Sequence, residues 1–322
     1  MKLSIFLRIT VLDGKNKKGD EDILSIQNFL ELVEIRTKLA SILPFFVGVL
    51  FSVAYFHQFE LGNTLIFFVA MLIFDMTTTA INNLMDYKKA KSKNYKKETN
   101  LIGRENISPK LVSIIIITML AISGLLGIWL VFRSGLALLY MGLLCFIIGI
   151  FYTFGPLPLS RLPLGEVFSG VTMGLGIPFI AIYLNVPNSL MDGKALLSIL
   201  LICIVPIATI ANIMLANNLS DYDQDIKNDR KTLPIVIGKG PGLNIYRILV
   251  LLGYLAVLLA VLLNLVDWKI LVTLLTIPMA IKNTHIFLKK QDKKTTFPTA
   301  IKNLVIENVS LIISLIIISI VK

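Results

Sequence analysis

The chain is poor in the residues that build most metal sites and disulfide scaffolds. It has only two cysteines and two histidines among 322 residues. Cys145 and Cys203 both lie inside apolar runs, which excludes a disulfide framework and a cysteine-rich metal site. His57 and His285 are too far apart in sequence to indicate a local site. Charge is also scarce: 16% of the residues are charged, against about 25% in a typical soluble domain.

Apolar residues are abundant instead, and they come in long runs. The chain is 56% hydrophobic with a mean hydropathy of +0.80. Its apolar runs have the length of about 20 residues that crosses the hydrocarbon core as a helix. We therefore predict an all-α membrane protein, with a polar arm at 1–30 and one transmembrane domain at 31–322. The predicted spans 1–9 cover roughly residues 37–57, 62–85, 110–132, 135–154, 165–185, 196–218, 244–265, 268–287 and 300–321.

The basic residues are distributed very unevenly over the loops between these spans. Of the 31 lysines and arginines, four lie on one side, namely Arg133, Lys194, Lys269 and Lys322. The other 27 lie on the side of the N-terminus and of the 2–3, 4–5, 6–7 and 8–9 loops. The positive-inside rule then predicts a cytoplasmic N-terminus and a C-terminus outside. The net charge of +11 is thereby explained by topology and by contact with anionic membrane lipid, and it predicts no nucleic-acid partner. An amphipathic stretch around Ile23–Val33 is expected on the membrane surface.

The end of span 6 carries the most informative polar pattern. Asn217, Asp221 and Asp225 are spaced i, i+4 and i+8, so a continuing helix would place them on one face. Crowded carboxylates at a membrane boundary repel one another unless a cation compensates them. Mg²⁺ accepts one or two carboxylates together with phosphate oxygens. The cations that follow, Arg230 and Lys231, suit phosphate.

A similar pattern closes span 2, where Asn82 and Asp86 are again spaced i, i+4. Two such motifs on the same predicted side indicate two halves of the bundle that face one another across a cavity. The alternative interpretation is that these are ordinary helix ends with polar caps. Asp75, inside span 2, is an intramembrane acid to which the sequence assigns no partner.

In this order and spacing the motifs resemble those of the UbiA superfamily of intramembrane prenyltransferases, from about residue 29 onward. Within it the chain looks most like the 1,4-dihydroxy-2-naphthoate polyprenyltransferases of menaquinone synthesis. The resemblance implies nine transmembrane helices and two Asp-rich motifs that hold Mg²⁺ and a polyprenyl diphosphate. Further matching segments are Phe29–Leu32 through Arg36-Thr37 to Leu43-Pro44 and Gly48, Tyr152–Pro158 with Leu164-Gly165-Glu166, and Arg230–Leu233.

One departure from the family pattern concerns the first motif, which usually reads Asn-Asp-x-x-Asp with a further Asp. Here Asn83 stands at the second position, and Ala90 and Ser92 stand where another carboxylate is expected. Asp86 is the carboxylate that remains. We expect its site to be weakened, or to be completed by Asn82, Asn83 or Glu98.

The resemblance implies a role for each polar residue of the motifs. Asp221 and Asp225 are expected to hold one Mg²⁺, and Asp86 with Asn82 the other. Arg230 and Lys231 are expected to bind the diphosphate, although each also fits as a topology-setting charge. Asn217 is expected to orient a metal ligand or the diphosphate.

Two further residues have an ordinary interpretation beside the functional one. Arg36 is expected to reach the diphosphate or the carboxylate of the acceptor, or else to extend toward lipid headgroups. Tyr152 is expected to stack on the acceptor or shield a carbocation, or else to be an aromatic at the membrane interface.

The function that follows is Mg²⁺-dependent transfer of a polyprenyl group to an aromatic acceptor, giving demethylmenaquinone when that acceptor is dihydroxynaphthoate. A related enzyme with another acceptor, such as 4-hydroxybenzoate, stays open, as does a catalytically silent homologue. A cation transporter fits less well, because transporter sites lie near the bilayer midplane. The family and the lack of an organelle transit peptide predict a bacterial plasma membrane. The sequence fixes neither the prenyl chain length nor the oligomeric state.

Overall fold

The computed structural model describes residues 24–90, 95–156 and 158–321. In these residues nine helices are long and apolar enough to cross a membrane, and each predicted span is confirmed with ends shifted by about five residues or fewer. Their orientation in the membrane stays a prediction. Spans 1–9 are Ile35–Phe56, Leu61–Lys89, Pro109–Ser134, Leu136–Thr153, Gly165–Asn185, Gly193–Ser220, Lys239–Leu262, Trp268–Lys289 and Phe297–Ile320.

Several spans contain irregular turns, which the bundle tolerates because neighbouring helices cover the backbone. Span 5 contains a π-turn at Thr172–Gly176, and span 8 opens as a 3₁₀ helix at Trp268–Thr276. Gly174 lies in the π-turn of span 5, where a β-carbon would stand 2.4 Å from the backbone nitrogen of Ile207 in span 6. Spans 5 and 6 therefore pack backbone to backbone.

Span 6 is the centre of the bundle. Its residues Ile202 and Val205 are 1% exposed, and they belong to a core cluster with Val257 of span 7 and Leu311 of span 9. Spans 3 and 4 lie at the periphery and present large apolar side chains outward, as Phe132, 84% exposed, illustrates. An apolar exterior of this extent suits lipid and not water.

The loops predicted to share the basic side of the membrane do meet in space. The backbone N–H of Lys231, in the 6–7 loop, donates to the carbonyl of Arg161 in the 4–5 loop at 2.9 Å. The Arg161 guanidinium donates in return to the carbonyl of Asn228 at 3.1 Å. Lys293 of the 8–9 loop contacts Asp221 at the end of span 6. These contacts agree with the predicted alternation of loops.

A short helix, Ile26–Leu32, precedes span 1 and begins at Ser25, whose side chain accepts from the Asn28 N–H at 3.1 Å. Its last residue, Leu32, is fully buried in a cluster with residues of spans 2 and 3, whereas Ile26 is 79% exposed. The predicted amphipathic stretch is thus helical from Ile26. Most of the predicted arm, residues 1–23, lies outside the described residues, and its place on the membrane surface stays a prediction.

Asp75, which the sequence left without a partner, is paired with Lys38 of span 1. The Lys38 ammonium lies 2.8 Å from the Asp75 carboxylate and donates also to the Thr79 hydroxyl at 2.6 Å. Ser41 donates to the other Asp75 oxygen at 2.6 Å. A buried charge in a membrane helix is tolerated when it is paired in this way. The group ties span 1 to span 2 below the first motif.

Candidate active site

The second motif does not lie on one continuous helix, which corrects the sequence-based expectation. Span 6 ends at Ser220, and a separate helix, Tyr222–Lys227, begins after Asp221. The backbone hydrogen bonds of Asp221 to Asn217, at 3.0 Å, and of Asp225 to Asp221, at 2.8 Å, nevertheless carry the chain across this break. The three side chains therefore stay on one side although the helix bends.

Asp225 is the most enclosed member of the motif, at 2% exposed. The Thr232 hydroxyl donates to it at 3.3 Å, and the Arg230 guanidinium lies 3.5 Å from its other oxygen. Burial raises the pKa of the Asp225 carboxyl above its ordinary value, and the positive charge of Arg230 partly offsets this effect. A cationic partner therefore stabilises the ionised form of this buried carboxyl group.

Arg230 brings the two motifs together. Its guanidinium lies 3.8 Å from a carboxylate oxygen of Asp86 at the end of span 2, as well as 3.5 Å from Asp225. The side chains of Arg230 and Asp86 are about one-third exposed, at 30% and 32%. The motifs that close spans 2 and 6 therefore face one another across a single guanidinium group.

A second cation, Lys293 of the 8–9 loop, forms an ion pair with Asp221, the other carboxylate of the second motif. The Lys293 ammonium lies 2.5 Å from Asp221 Oδ2 and 2.5 Å from Asn217 Oδ1. The amide nitrogen of Asn217 also donates to Asp221 at 3.4 Å. Asn217 thus contacts the same carboxylate that the sequence predicted it to accompany.

In the first motif, Asn82 and Asp86 are half-buried on successive turns of span 2, which continues as a helix to Lys89. Asn83 has an architectural use: its amide donates to the Leu32 carbonyl at 2.8 Å, and its own carbonyl accepts from Asn100 at 3.0 Å. Glu98 is exposed on the loop helix Tyr95–Thr99. Asn83, which stands where the family pattern has aspartate, thereby links the short N-terminal helix to span 2 by a hydrogen bond.

Glu34 adds a carboxylate to this region that sequence reasoning missed. Its backbone is in the left-handed conformation, with φ 47°, which is uncommon for a residue other than glycine. Its carboxyl is hydrogen-bonded to Asn83, and it interacts electrostatically first with Lys38 and more weakly with Asp86 and Lys293. Backbone strain of this kind is often kept at functional sites.

A buried polar group lies beside the second motif. Asn218 donates to Glu166 Oε1 of span 5 at 2.8 Å, and Glu166 is 3% exposed. Glu166 Oε2, the Tyr152 hydroxyl and Arg230 Nε are also buried, and none has a hydrogen-bond partner among the described residues. Such groups are rare in folded proteins, and these three atoms are free to bond a ligand or a water molecule.

The two remaining predicted substrate-binding residues, Arg36 and Lys231, do not contact the motif carboxylates through their side chains in the described structure. The side chains of Arg36 and Lys231 are exposed, and within the described part of the chain neither forms an ion pair with the motif carboxylates. Lys231 contributes through its backbone N–H to Arg161. The diphosphate roles predicted for both side chains stay predictions.

The donor set fits Mg²⁺ that is shared with a phosphate ligand. Among the described residues no three His, Cys, Asp or Glu side chains form a group that would hold a metal without further ligands. Mg²⁺ commonly takes one or two carboxylates and completes its shell with substrate phosphates and water. Such oxygens are supplied by two pairs of residues, Asp221 with Asn217 and Asp225 with Asp86. A cationic side chain contacts each pair: Lys293 the first and Arg230 the second.

Comparison with known proteins agrees with this arrangement. The model of the UbiA prenyltransferase family matches residues 41–306. The chain belongs to this family. It is also 30% identical over 217 residues to the 1,4-dihydroxy-2-naphthoate octaprenyltransferase of Bacillus subtilis (strain 168). That match covers 65% of the chain, and the chain spans 65% of the relative's length.

Solved structures of UbiA homologues share the fold. One from Aeropyrum pernix K1 superposes with a TM-score of 0.67 at 16% identity, over 87% of this chain and 98% of that one. One from Archaeoglobus fulgidus, bound to DMAPP and Mg²⁺, gives a TM-score of 0.60 at 17% identity, over 92% and 100%. At these identities the likeness establishes the fold alone.

Sequence reasoning missed Lys293 and gave Glu166 no role. Lys293 lies in a basic run with Lys289, Lys290 and Lys294, and nothing in the sequence separates it from its neighbours. Glu166 belongs to the Leu-Gly-Glu segment that matched the family pattern, and that match was the available signal. Both assignments needed the packing of spans that are distant in sequence.

Proposed function

We propose that this chain transfers a polyprenyl group from a prenyl diphosphate to 1,4-dihydroxy-2-naphthoate, and that the product is demethylmenaquinol, the reduced form of demethylmenaquinone. The supporting observation is the meeting of Asp86 with Asp225 at Arg230, beside Asp221 with its own cation, Lys293. Alternating negative and positive groups at one end of the bundle suit a diphosphate carried with Mg²⁺.

The proposed reaction has two parts, departure of the diphosphate and attack of the acceptor ring on the allylic carbon. The allylic carbon–oxygen bond breaks, and its electron pair leaves with the diphosphate. Mg²⁺ bound by Asp86, Asp221 and Asp225 would supply electrostatic stabilisation of that charge. Arg230 adds a fixed positive charge between the motifs. The aromatic ring then forms a carbon–carbon bond to the allylic carbon, and its carboxylate is lost as CO₂, so that the ring regains aromaticity without an oxidant.

The acceptor is assigned to the side of Glu166 and Tyr152. Glu166 Oε2 is a buried acceptor and the Tyr152 hydroxyl a buried donor, each without a described partner, and a hydroxylated aromatic acid offers groups that suit both. The naphthoate choice is supported by the similarity to the Bacillus subtilis enzyme. An apolar prenyl tail would lie between helices toward the lipid, and we place the chain in a bacterial plasma membrane with this site at the cytoplasmic face.

The test is prenyl transfer by the purified protein in detergent, with dihydroxynaphthoate, a long-chain prenyl diphosphate and Mg²⁺. Asp221→Asn is expected to reduce turnover by about a hundredfold or more, the order seen when one charge-stabilising group is lost. Asp223→Asn is the matched control, because Asp223 has the same chemistry but is exposed on the short helix. The control is expected to stay near wild type.

Three outcomes separate the alternatives. Product with dihydroxynaphthoate, lost in Asp221→Asn only, supports the proposal. Product with 4-hydroxybenzoate alone would keep prenyl transfer and overturn the naphthoate assignment. A folded protein without turnover on any acceptor would overturn the enzymatic proposal and favour a silent homologue.

A further inference from the structure

Lys293 holds the oxygens that the proposed function assigns to a divalent cation. Its ammonium donates to both Asn217 Oδ1 and Asp221 Oδ2. The loop that carries it joins spans 8 and 9, whereas Asn217 and Asp221 end span 6. A third part of the chain thus supplies the counter-charge of the second motif.

The backbone around Lys293 is fixed by the residue before it. Asp292 Oδ1 accepts from the backbone N–H of Lys294 at 3.1 Å and of Thr295 at 2.8 Å, and the Asp292 N–H donates to the Thr296 hydroxyl at 2.8 Å. The hydroxyl and the backbone N–H of Thr295 both donate to Asp292, and these hydrogen bonds lower the pKa of its carboxyl below the ordinary value. A fixed turn aims the Lys293 side chain at Asp221.

The side chain itself keeps freedom to move. The Lys293 side chain is 45% exposed, and its ammonium also lies 5.4 Å from the centre of the Phe297 ring. A lysine ammonium on a four-carbon stem is a mobile point charge. Lys293 can therefore leave Asp221 while the loop stays in place.

An ammonium group and a divalent cation compete at this place. Lys293 already occupies Asn217 Oδ1 and Asp221 Oδ2, and two positive charges held at contact distance repel one another. The same end of the bundle is where the diphosphate is proposed to bind, and a displaced ammonium is a suitable partner for its oxygens.

We propose that Lys293 is an exchangeable counter-ion: it competes with the divalent cation for Asn217 and Asp221, and once displaced it binds the diphosphate. This inference rests on the proposed function and extends it to a residue outside both Asp-containing motifs. Its consequence is a pair of effects of opposite sign. Removal of the Lys293 charge strengthens binding of the metal alone and weakens binding of the diphosphate in the presence of metal.

The experiment compares Lys293→Met with Lys294→Met in the full chain in detergent. Lys294 is the matched control, because it is the next residue, has an exposed side chain and belongs to the same turn. Mn²⁺ affinity without substrate is measured by electron paramagnetic resonance. Lys293→Met is expected to bind Mn²⁺ about two- to five-fold more tightly than wild type, the range set by the strength of a partly exposed ion pair.

The second measurement is calorimetric binding of geranyl thiolodiphosphate, a non-cleavable probe, at saturating Mg²⁺. Lys293→Met is expected to lose about ten-fold in affinity, the value of one charge-assisted hydrogen bond. Lys294→Met is expected to match wild type in both measurements. Thermal unfolding of each variant verifies that the fold is retained.

Unchanged or weaker Mn²⁺ binding by Lys293→Met would overturn the competition. Tighter Mn²⁺ binding with unchanged diphosphate affinity would overturn the transfer of Lys293 to the diphosphate. Neither measurement requires an acceptor or turnover. Failure of the proposed function, seen as absent prenyl transfer by the wild type, is therefore distinguished from failure of this inference.

Discussion

Arg230 lies 3.8 Å from Asp86 although the two residues belong to opposite halves of the chain. The contact joins the end of span 2 to the loop after span 6, and the same guanidinium reaches Asp225 at 3.5 Å. An arginine presents several donors in a fixed plane, so it serves two carboxylates or exchanges one for a phosphate without rearrangement. The position of Arg230 between the motifs makes it the first residue to test.

Arg230→Gln is expected to raise the KM for prenyl diphosphate by about ten-fold or more and to lower kcat, because a charge-assisted contact is lost and both carboxylates lose a counter-charge. Steady-state kinetics at saturating Mg²⁺ measure both effects. Arg247→Gln is the matched control: Arg247 bonds only Asn244 among the described residues, at 2.7 Å on the exposed end of span 7. Equal kinetics of the two variants would argue against a diphosphate role for Arg230.

Glu166→Gln is expected to impair use of the aromatic acceptor without loss of stability. The variant keeps the size of Glu166 but replaces one carboxyl oxygen by an N–H₂ donor at a buried position. The KM for acceptor should rise about ten-fold while the KM for prenyl diphosphate stays constant. Glu105→Gln, on the exposed surface, is the control. An effect on the prenyl diphosphate KM instead would place Glu166 with the diphosphate.

Lys38→Met is expected to destabilise the protein by about 3–5 kcal/mol, because it leaves the Asp75 carboxylate buried without its ion-pair partner. The double variant Lys38→Met with Asp75→Leu should recover most of this loss, since an apolar pair no longer carries an uncompensated charge. Unfolding in mixed detergent micelles measures the difference. Additive losses in the double variant would show that the pair is not the source of the effect.

Gly174→Ala is expected to lower the thermal unfolding temperature by several degrees. The new β-carbon would stand 2.4 Å from the Ile207 backbone nitrogen, and overpacking of this kind costs about 1–3 kcal/mol or more. Gly127→Ala in span 3 is the matched control, because a β-carbon there meets no atom within 4 Å and alanine favours the helix. A drop of equal size in the control would assign the effect to glycine in general and not to the contact between spans 5 and 6.

The sequence alone was sufficient for the membrane architecture. Nine apolar runs predicted the nine membrane-length helices found in the described residues, because a backbone in hydrocarbon must satisfy its own hydrogen bonds and a helix does so within a single run. The i, i+4 spacing of Asn82 with Asp86, and of Asn217 with Asp221, also located both motifs, since their elements are helical or close to it. Both features depend only on residues that are close together in the chain, so the sequence is enough to predict them.

Only the tertiary structure decided which charges meet. Three contacts join residues that are distant in sequence: Arg230 with Asp86 and Asp225, Lys293 with Asp221, and Lys38 with Asp75. The sequence offers several basic residues near each of these carboxylates and does not show which one forms the ion pair. The bend at Asp221 likewise came from structure, because its spacing fits an unbroken helix equally well. Sequence spacing fixes neighbours along one helix, whereas pairing across helices depends on how the whole bundle packs.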